Sequence, residues 1–324
     1  MFNYFIRRFL YAVPIIFGVM LLTFFLFFVV QTPQAMAKRI LGPKTSPQAV
    51  GNWLHNRGYD KPRFFNTTPG QKFFDSQFFN HVKSLALFDL GRSDATGEPV
   101  LTKFKEGAIP SLLITLPAFL LGLFSSLSIS LFLVFVRESR MDLAGVFGSV
   151  VFMSIPIMAY VILGQWLVAV KLCYLPAFGF NLAGFATAKY LLLPVVIYVF
   201  ASLGSDVRLY RAIFLEEIHQ DYVRTAHAKG ASSVRVLFVH VLKNGMISLI
   251  TLVVASLPFL IMGSLVMENF FGIPGLGNLT INAIRTSDYA VVRAAVYLGS
   301  LFYLFGLLLT DLCYAAVDPR IRFK

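Results

Sequence analysis

The residues with chemistry to offer in this 324-residue chain are five histidines, two cysteines, a run of serines and a few carboxylates set in apolar sequence. His55, His81, His219, His227 and His240 never fall at the His-Glu-x-x-His spacing that brings two imidazoles and a general base to one zinc ion. Ser125, Ser126, Ser128 and Ser130 lie in an apolar run, where serine commonly bonds its own helix backbone. An intramembrane serine nucleophile needs an embedded histidine, and no histidine stands in such a run. Cys173 and Cys313 fall near opposite ends of the apolar layers, so they are expected neither to pair nor to hold a metal. No Gly-x-x-x-x-Gly-Lys-Ser/Thr phosphate loop is present. The expectation is a non-catalytic chain without a metal or cofactor of its own. Glu268 with Asn269, and Asp311, remain. A charge at mid-membrane costs a few kcal/mol, so such residues invite a functional reading. Asp311 stands close enough to the end of its run for helix packing or arginine pairing.

The elements that must position these residues are read from composition. The chain is 57% hydrophobic and 14% charged, with a mean hydropathy of +0.73. A soluble domain carries about 25% charged residues. The apolar runs are long and continuous, which fits membrane helices and not the ten-residue alternation of an outer-membrane barrel. The expected fold is an all-α integral membrane protein with six transmembrane helices, over about 9–30, 109–136, 143–170, 190–203, 246–266 and 294–317. The first run follows Arg7-Arg8, and Ala35-Met36-Ala37 resembles a signal-peptidase site. About 22 apolar residues exceed the 7–15 of a signal h-region, so a retained helix is expected. The fourth run is short and is expected to continue past Ser205 as a helix leaving the membrane. Pro14, Pro117, Pro156, Pro194 and Pro258 stand inside runs, where each removes a backbone donor and can kink its helix.

The domains read as a first transmembrane helix (1–31), an extracytoplasmic segment (32–107) and a five-helix core (108–324) with a cytoplasmic loop at about 206–245. In 32–107, Phe64-Phe65, Phe73-Phe74 and Phe78-Phe79 are expected to pack locally; the alternatives are a surface helix carrying Phe74 and Phe78, or a contact for another protein. The net charge of +12 fits positive loops on one face better than a nucleic-acid partner. With N- and C-termini in the cytoplasm, the proposed inner pieces hold 13 lysines and arginines, Arg7, Arg8 and the C-terminal Arg320, Arg322 and Lys324 among them. The two short outer loops hold four, Lys171, Lys189, Arg285 and Arg293. The long first outer loop does not count toward orientation.

The longest polar interruption in the second half is 208–245. Two amphipathic pieces, about 213–229 and 234–241, flank Gly230-Ala231-Ser232-Ser233. Glycine suits a left-handed helix end, and Ser232 or Ser233 suits the next cap. The pattern predicts helix, tight turn, helix, outside the membrane; a basic helix lying on anionic lipid is the alternative. The run DYVRTAHAKGASSVRVLFVHVLKN from Asp221 resembles the cytoplasmic loop of ABC-importer permeases of the dipeptide/oligopeptide family, B-type subunit. Against the general Glu-Ala-Ala…Gly…Ile-x-Leu-Pro signature only Ala226, Gly230 and Leu242 match; the peptide subfamily reads much as this chain does. Further resemblance lies in Asp89-Leu90-Gly91-Arg92-Ser93, Pro274-Gly275-Leu276-Gly277, Asp288-Tyr289 and the terminal Asp318-Pro319-Arg320. It is thin only across 31–84.

The resemblance implies a transmembrane subunit of an ATP-driven importer in a bacterial plasma (inner) membrane, passing di- or oligopeptides or similar small solutes. It implies a second permease subunit in a heterodimer, one or two ATPase subunits that bind ATP and Mg, an extracytoplasmic substrate-binding protein, and membrane lipid. Asp221, Tyr222, Arg224, Thr225, Ala226, Lys229, Gly230, Ser233, His240 and Asn244 are the implied ATPase-coupling residues. Glu268 and Asn269 are implied pathway residues, with Glu268 facing outward to meet a peptide's amino group or, alternatively, sitting in interfacial water. A stand-alone secondary transporter or channel would show internal repeats or several buried carboxylates, and neither is seen; an exporter subunit remains the other alternative.

Overall fold

The computed structural model describes residues 2–67, 72–182 and 184–317. The terminal Asp318-Pro319-Arg320 and the basic residues after it lie outside that range. Among the described residues the chain is helical, with one isolated antiparallel bridge between Arg92 and Pro99. In chain order the helices are α1 (Phe2–Phe24), α2 (Pro33–Leu41), α3 (Pro47–Asn56), α4 (Gln77–Ala86), α5 (Val100–Phe135), α6 (Arg140–Ser154), α7 (Ile157–Gly164) and α8 (Phe185–Ile218). Then come α9 (Asp221–Ala228), α10 (Ser233–Arg235), α11 (Leu242–Met262), α12 (Leu265–Phe271), α13 (Leu276–Arg285) and α14 (Tyr289–Val317). Wider π-type turns at Phe25–Val30, Gln165–Lys171 and Val236–Val241 extend α1 and α7 and join α10 to α11.

Among the described residues, five helical stretches are long and apolar enough to cross a membrane: Leu10–Val30, Val100–Phe135, Thr187–Ile218, Ser233–Phe271 and Tyr289–Cys313. A sixth exists only if α6 and α7 count as one span, because they meet at 88°. The expected continuous third helix is therefore broken. The cause is local: Pro156 disfavours helical backbone at the residue before it, and Ile155 is extended at ψ 122°. Pro14, Pro117, Pro194 and Pro258 sit inside continuous helices. The fourth run continues as a helix to Ile218, as its length predicts.

The chain forms two compact units: residues up to Gly107 with Leu279–Leu308, and Ala108–Asn278 with the stretch beginning at Leu309. In the first, the polar segment after α1 carries the helices α2, α3 and α4. Thr32, Ser46 and Ser76 cap α2, α3 and α4 by accepting Ala35, Ala49 and Phe79 amides, and Pro33 and Pro47 open the first two. Met36, Ala37, Val50, Trp53, Leu54 and Tyr289 share a core. The phenylalanine pairs pack among themselves: Phe65 stacks on Phe73 at 5.0 Å, and Phe74 meets Phe79 edge-on at 4.7 Å. Phe74 precedes α4 and shares no helix with Phe78. The sequence motifs at Arg92-Ser93 and Asp288-Tyr289 meet in a buried network. Asp288 accepts from the Ser93 hydroxyl and the Asp94 amide, and Asp94 accepts from the Ala290 amide (3.0 Å) and Arg57 (3.0 Å).

In the second unit α6 lies against α8 at backbone contact. A Cβ on Gly204 would sit 2.5 Å from the Ser149 carbonyl oxygen and 2.6 Å from the Met153 nitrogen. These are backbone atoms and cannot swing away. Gly204→Ala is expected to force the helices apart and destabilise the protein by about 1–3 kcal/mol. Thermal unfolding in mild detergent checks this, and an unchanged midpoint contradicts the close approach.

Candidate functional site

The site is built on α9 and the turn that follows it. Helix α8 stops at Ile218, so the predicted first amphipathic piece is two helices, the end of α8 and α9, divided at His219-Gln220. The second predicted piece is not a separate helix; it is the start of the long stretch Ser233–Phe271. Helix α9 ends in a Schellman closure. The Ala231 amide donates to the Ala226 carbonyl (3.1 Å) and the Gly230 amide to His227 (2.9 Å). The closure places Gly230 at φ +82°, a left-handed backbone in which a Cβ is disfavoured. Nothing lies within 4 Å of a Cβ built there, so glycine is required by backbone and not by space. Ser232 then caps the next helix by accepting the Arg235 amide (3.4 Å).

One face of α9 is anchored in its own chain. Val223 and Ala226 are buried in a cluster with Leu131, Val134, Phe214 and Val241. Tyr222 adds a polar strut: its hydroxyl donates to the Glu217 carboxylate and also bonds the Asn244 side chain. Burial first, and then the Glu217 carboxylate, push the Tyr222 phenol up to about 12, so it stays a donor at any physiological pH. Behind the loop, Gly245 lets α11 close on α8, where a Cβ would sit 2.9 Å from the Phe214 ring.

The ten residues singled out in the sequence therefore divide. Ala226 is buried, and Tyr222, His240 and Asn244 are half-buried within the chain. Asp221, Arg224, Thr225, Lys229, Gly230 and Ser233 are exposed together with His227 and Ala228. Arg224 stands 3.6 Å from Asp221, but both side chains are largely in water, so the pair holds neither in place. The result is a rigidly backed helix presenting a mainly basic outer face and an exposed turn.

Sequence reasoning missed the brace behind this helix. Arg211 near the end of α8 grips Asp142 in a fork, Nε to Oδ1 at 2.9 Å and Nη2 to Oδ2 at 2.7 Å. Asp142 also accepts the Glu138 amide, while Ser139 caps α6 through the Asp142 amide. The Ser-x-x-Asp pattern at 139–142 was the available signal. The two side chains retain 21% and 9% exposure. Arg211→Met is expected to cost about 3 kcal/mol by stranding the aspartate, and adding Asp142→Leu should restore most of it. Equal unfolding midpoints for the single variant and the parent would rule the brace out.

Glu268 departs most from its sequence reading. It is fully buried in α12, not at a wet interface. One carboxylate oxygen accepts from the Ser111 hydroxyl (2.8 Å) and the Ser264 amide (3.0 Å); the other accepts from the Asn278 amide (3.0 Å), with the Gly277 amide adding a further bond. A Cβ on Gly263 would fall 2.1 Å from this carboxylate and one on Gly275 2.3 Å from it. Gly263 and the Pro274-Gly275-Leu276-Gly277 turn thus enclose Glu268, and its acceptors are taken up by its own chain. Asn269 beside it is half-buried. Among the described residues no group of three or more histidine, cysteine or acidic side chains is placed to hold a metal.

Membrane-length helices, a capped and backed helix exposed outside them, and a carboxylate-pinned turn describe a multi-pass membrane protein. A family model described as binding-protein-dependent transport system inner membrane component matches residues 118–323, and the N-terminal model for such membrane components matches 1–106. The chain belongs to this family of inner-membrane components. Its relatives include the glutathione transport system permease protein GsiC of Escherichia coli O6:H1, 30% identical over 324 residues and the full length of both chains. The dipeptide transport system permease protein DppB of Alkalihalophilus pseudofirmus is 27% identical, also over the full length of both.

Proposed function

We propose that this chain is one of two permease subunits of an ATP-driven importer and that it carries a short peptide or peptide-like solute. That relatives are named as glutathione and dipeptide transport system permeases supports the cargo class. Separate ATPase subunits bind ATP and Mg and perform hydrolysis, and an extracytoplasmic binding protein delivers the cargo. Both termini and the α9 loop face the cytoplasm, while 32–107 lies outside it.

The observation that carries the reading is α9 itself: one face locked to the chain, the other exposed and ending in a turn of fixed geometry. The outer residues Asp221, Arg224, Thr225, Lys229, Gly230 and Ser233 dock in a cleft of the ATPase. Tyr222, Ala226, His240 and Asn244 transmit its movement into α8 and α11. Coupling requires the loop to bind differently in two ATPase states, because equal binding shifts nothing. Glu268 is withdrawn from the pathway, and Asn269 alone is kept as a pathway residue.

Affinity purification of the tagged protein in mild detergent tests the assembly. A second six-helix subunit and phosphate-loop ATPases are expected to co-elute with nucleotide-hydrolysing activity. A homo-oligomer active in uptake without any ATPase would overturn the reading.

A further inference from the structure

Helix α6 ends at Ser154 and α7 starts at Ile157, and the two meet at 88°. Two rulers within the second unit place this elbow near the middle of the membrane. The 15 residues of α6 advance about 22 Å from Arg140, in hydrocarbon about 30 Å thick. On the neighbouring span, Phe200 stacks on Phe152 at 6.1 Å, and it lies about 20 Å along the helix from Thr187, where that span begins.

The break frees backbone groups at that depth. In a continuous helix the Met153 and Ser154 carbonyls would accept from the Ile157 and Met158 amides. Neither bond forms, and among the described residues neither amide has an acceptor. Only the Phe152 carbonyl is rescued within α6, by the Tyr160 hydroxyl (2.7 Å) and the Ile155 amide (3.4 Å).

The chain does not cover these groups. Met153, Ile155 and Met158 are 46%, 37% and 52% exposed, and Ser154 and Pro156 between them are exposed as well. Hydrocarbon offers no hydrogen bond, so irregular backbone at membrane depth lies inside protein or along water, not against lipid. The break between α11 and α12 shows the protein solution: there the freed Ser264 amide is taken by the buried Glu268 carboxylate (3.0 Å). No side chain does this for Ile157 and Met158. A dry contact with another subunit would have to match a donor or an acceptor to each freed group, whereas water supplies both.

We propose that the elbow from Met153 to Met158 lines the water-filled translocation pathway at mid-membrane, where its freed carbonyls and amides are hydrated. This rests on the importer reading, which supplies the pathway, and adds these residues to Asn269. Contact with the second permease subunit is the competing cover, and the test separates the two.

Ser154→Cys and Met158→Cys are made separately in the full-length chain with Cys173 and Cys313 replaced by serine. The complex with its co-eluting subunits is reconstituted in proteoliposomes. The probe is MTSET, a charged, membrane-impermeant methanethiosulfonate, because thiolates form and react where water reaches them. Leu21→Cys, 49% exposed within the apolar span of α1, is the dry reference. Both elbow thiols are expected to react at least tenfold faster than the reference. Trapping the ATPases with ATP and vanadate should change that rate at least fivefold, as a pathway that opens to alternate sides requires. Either cysteine suffices if the other fails to assemble. Reaction as slow as at Leu21→Cys would overturn the lining. Fast reaction in the isolated chain but not in the complex would assign the elbow to the second subunit and overturn it. A fast rate that ignores nucleotide would make it a wet crevice off the pathway, which also overturns it. The two readings fail separately. ATP-driven uptake with unreactive elbow thiols removes the lining and leaves the importer; reactive thiols in a chain that recovers no ATPase remove the importer and, with it, the pathway role.

Discussion

Gly230→Pro is expected to abolish ATP-driven uptake while leaving the chain in the membrane at its normal level. Proline fixes φ near −65°, whereas position 230 sits at +82°. It also removes the amide that closes α9 on His227 and pushes Lys229 out of the helical region. A local cost of about 3 kcal/mol is expected, roughly a hundredfold in the population of the docking-ready turn. The membrane helices do not depend on that turn, so insertion is preserved. Gly230→Asp separates docking from folding. Asp tolerates left-handed backbone better than Ala, and a Cβ at 230 meets nothing within 4 Å in this chain. If the turn serves only the fold of α9, Asp should be the milder substitution. If it lies against an ATPase, Asp should abolish uptake and Gly230→Ala should only reduce it. Uptake in proteoliposomes, normalised to chain in the membrane, decides, and normal uptake by Gly230→Pro would end the lever assignment.

Glu268→Ala is expected to be the most destabilising single change in the second unit. It removes the acceptors of the Ser111, Ser264, Gly277 and Asn278 donors and leaves a void between α12 and the turn before α13. Stranding several buried donors at once costs about 3–5 kcal/mol. Glu268→Gln keeps the shape but sets amide hydrogens against backbone amides, so it should fall between Ala and the parent. Thermal unfolding and membrane yield measure this. A pathway carboxylate would behave differently: Glu268→Gln would lose uptake with no loss of stability. That pattern would return Glu268 to the pathway and contradict the enclosure described here.

The contrast between Gly230 and Glu268 shows what the sequence carried. The turn at Gly230 was legible because its requirements are local: a glycine after an amphipathic run and a serine two residues on. The membrane helices were legible for the same reason, through continuous apolar length. The enclosure of Glu268 was not legible, because its donors come from Ser111, 157 residues away, and from backbone amides around a turn. No spacing rule exposes such a partner. The glycines at 263, 275 and 277 were the trace of it, since each leaves room for the carboxylate or a close backbone. The helices α2 and α3 were not anticipated, although Thr32-Pro33 and Ser46-Pro47 are their cap-and-proline openings. The break at Pro156 was one of five equal candidates. Only there, among the five, does the proline itself cap the following helix.

The central claim is that the outer face of α9 touches an ATPase and moves with its nucleotide state. The direct test replaces Cys173 and Cys313, places a single cysteine at the exposed Ala228, and cross-links the purified complex with and without ATP. The account predicts a product joining this chain to a nucleotide-binding subunit, with a yield that changes when ATP is added and that disappears in Gly230→Pro. A cysteine that remains uncross-linked, or reacts equally in every nucleotide state, would contradict it.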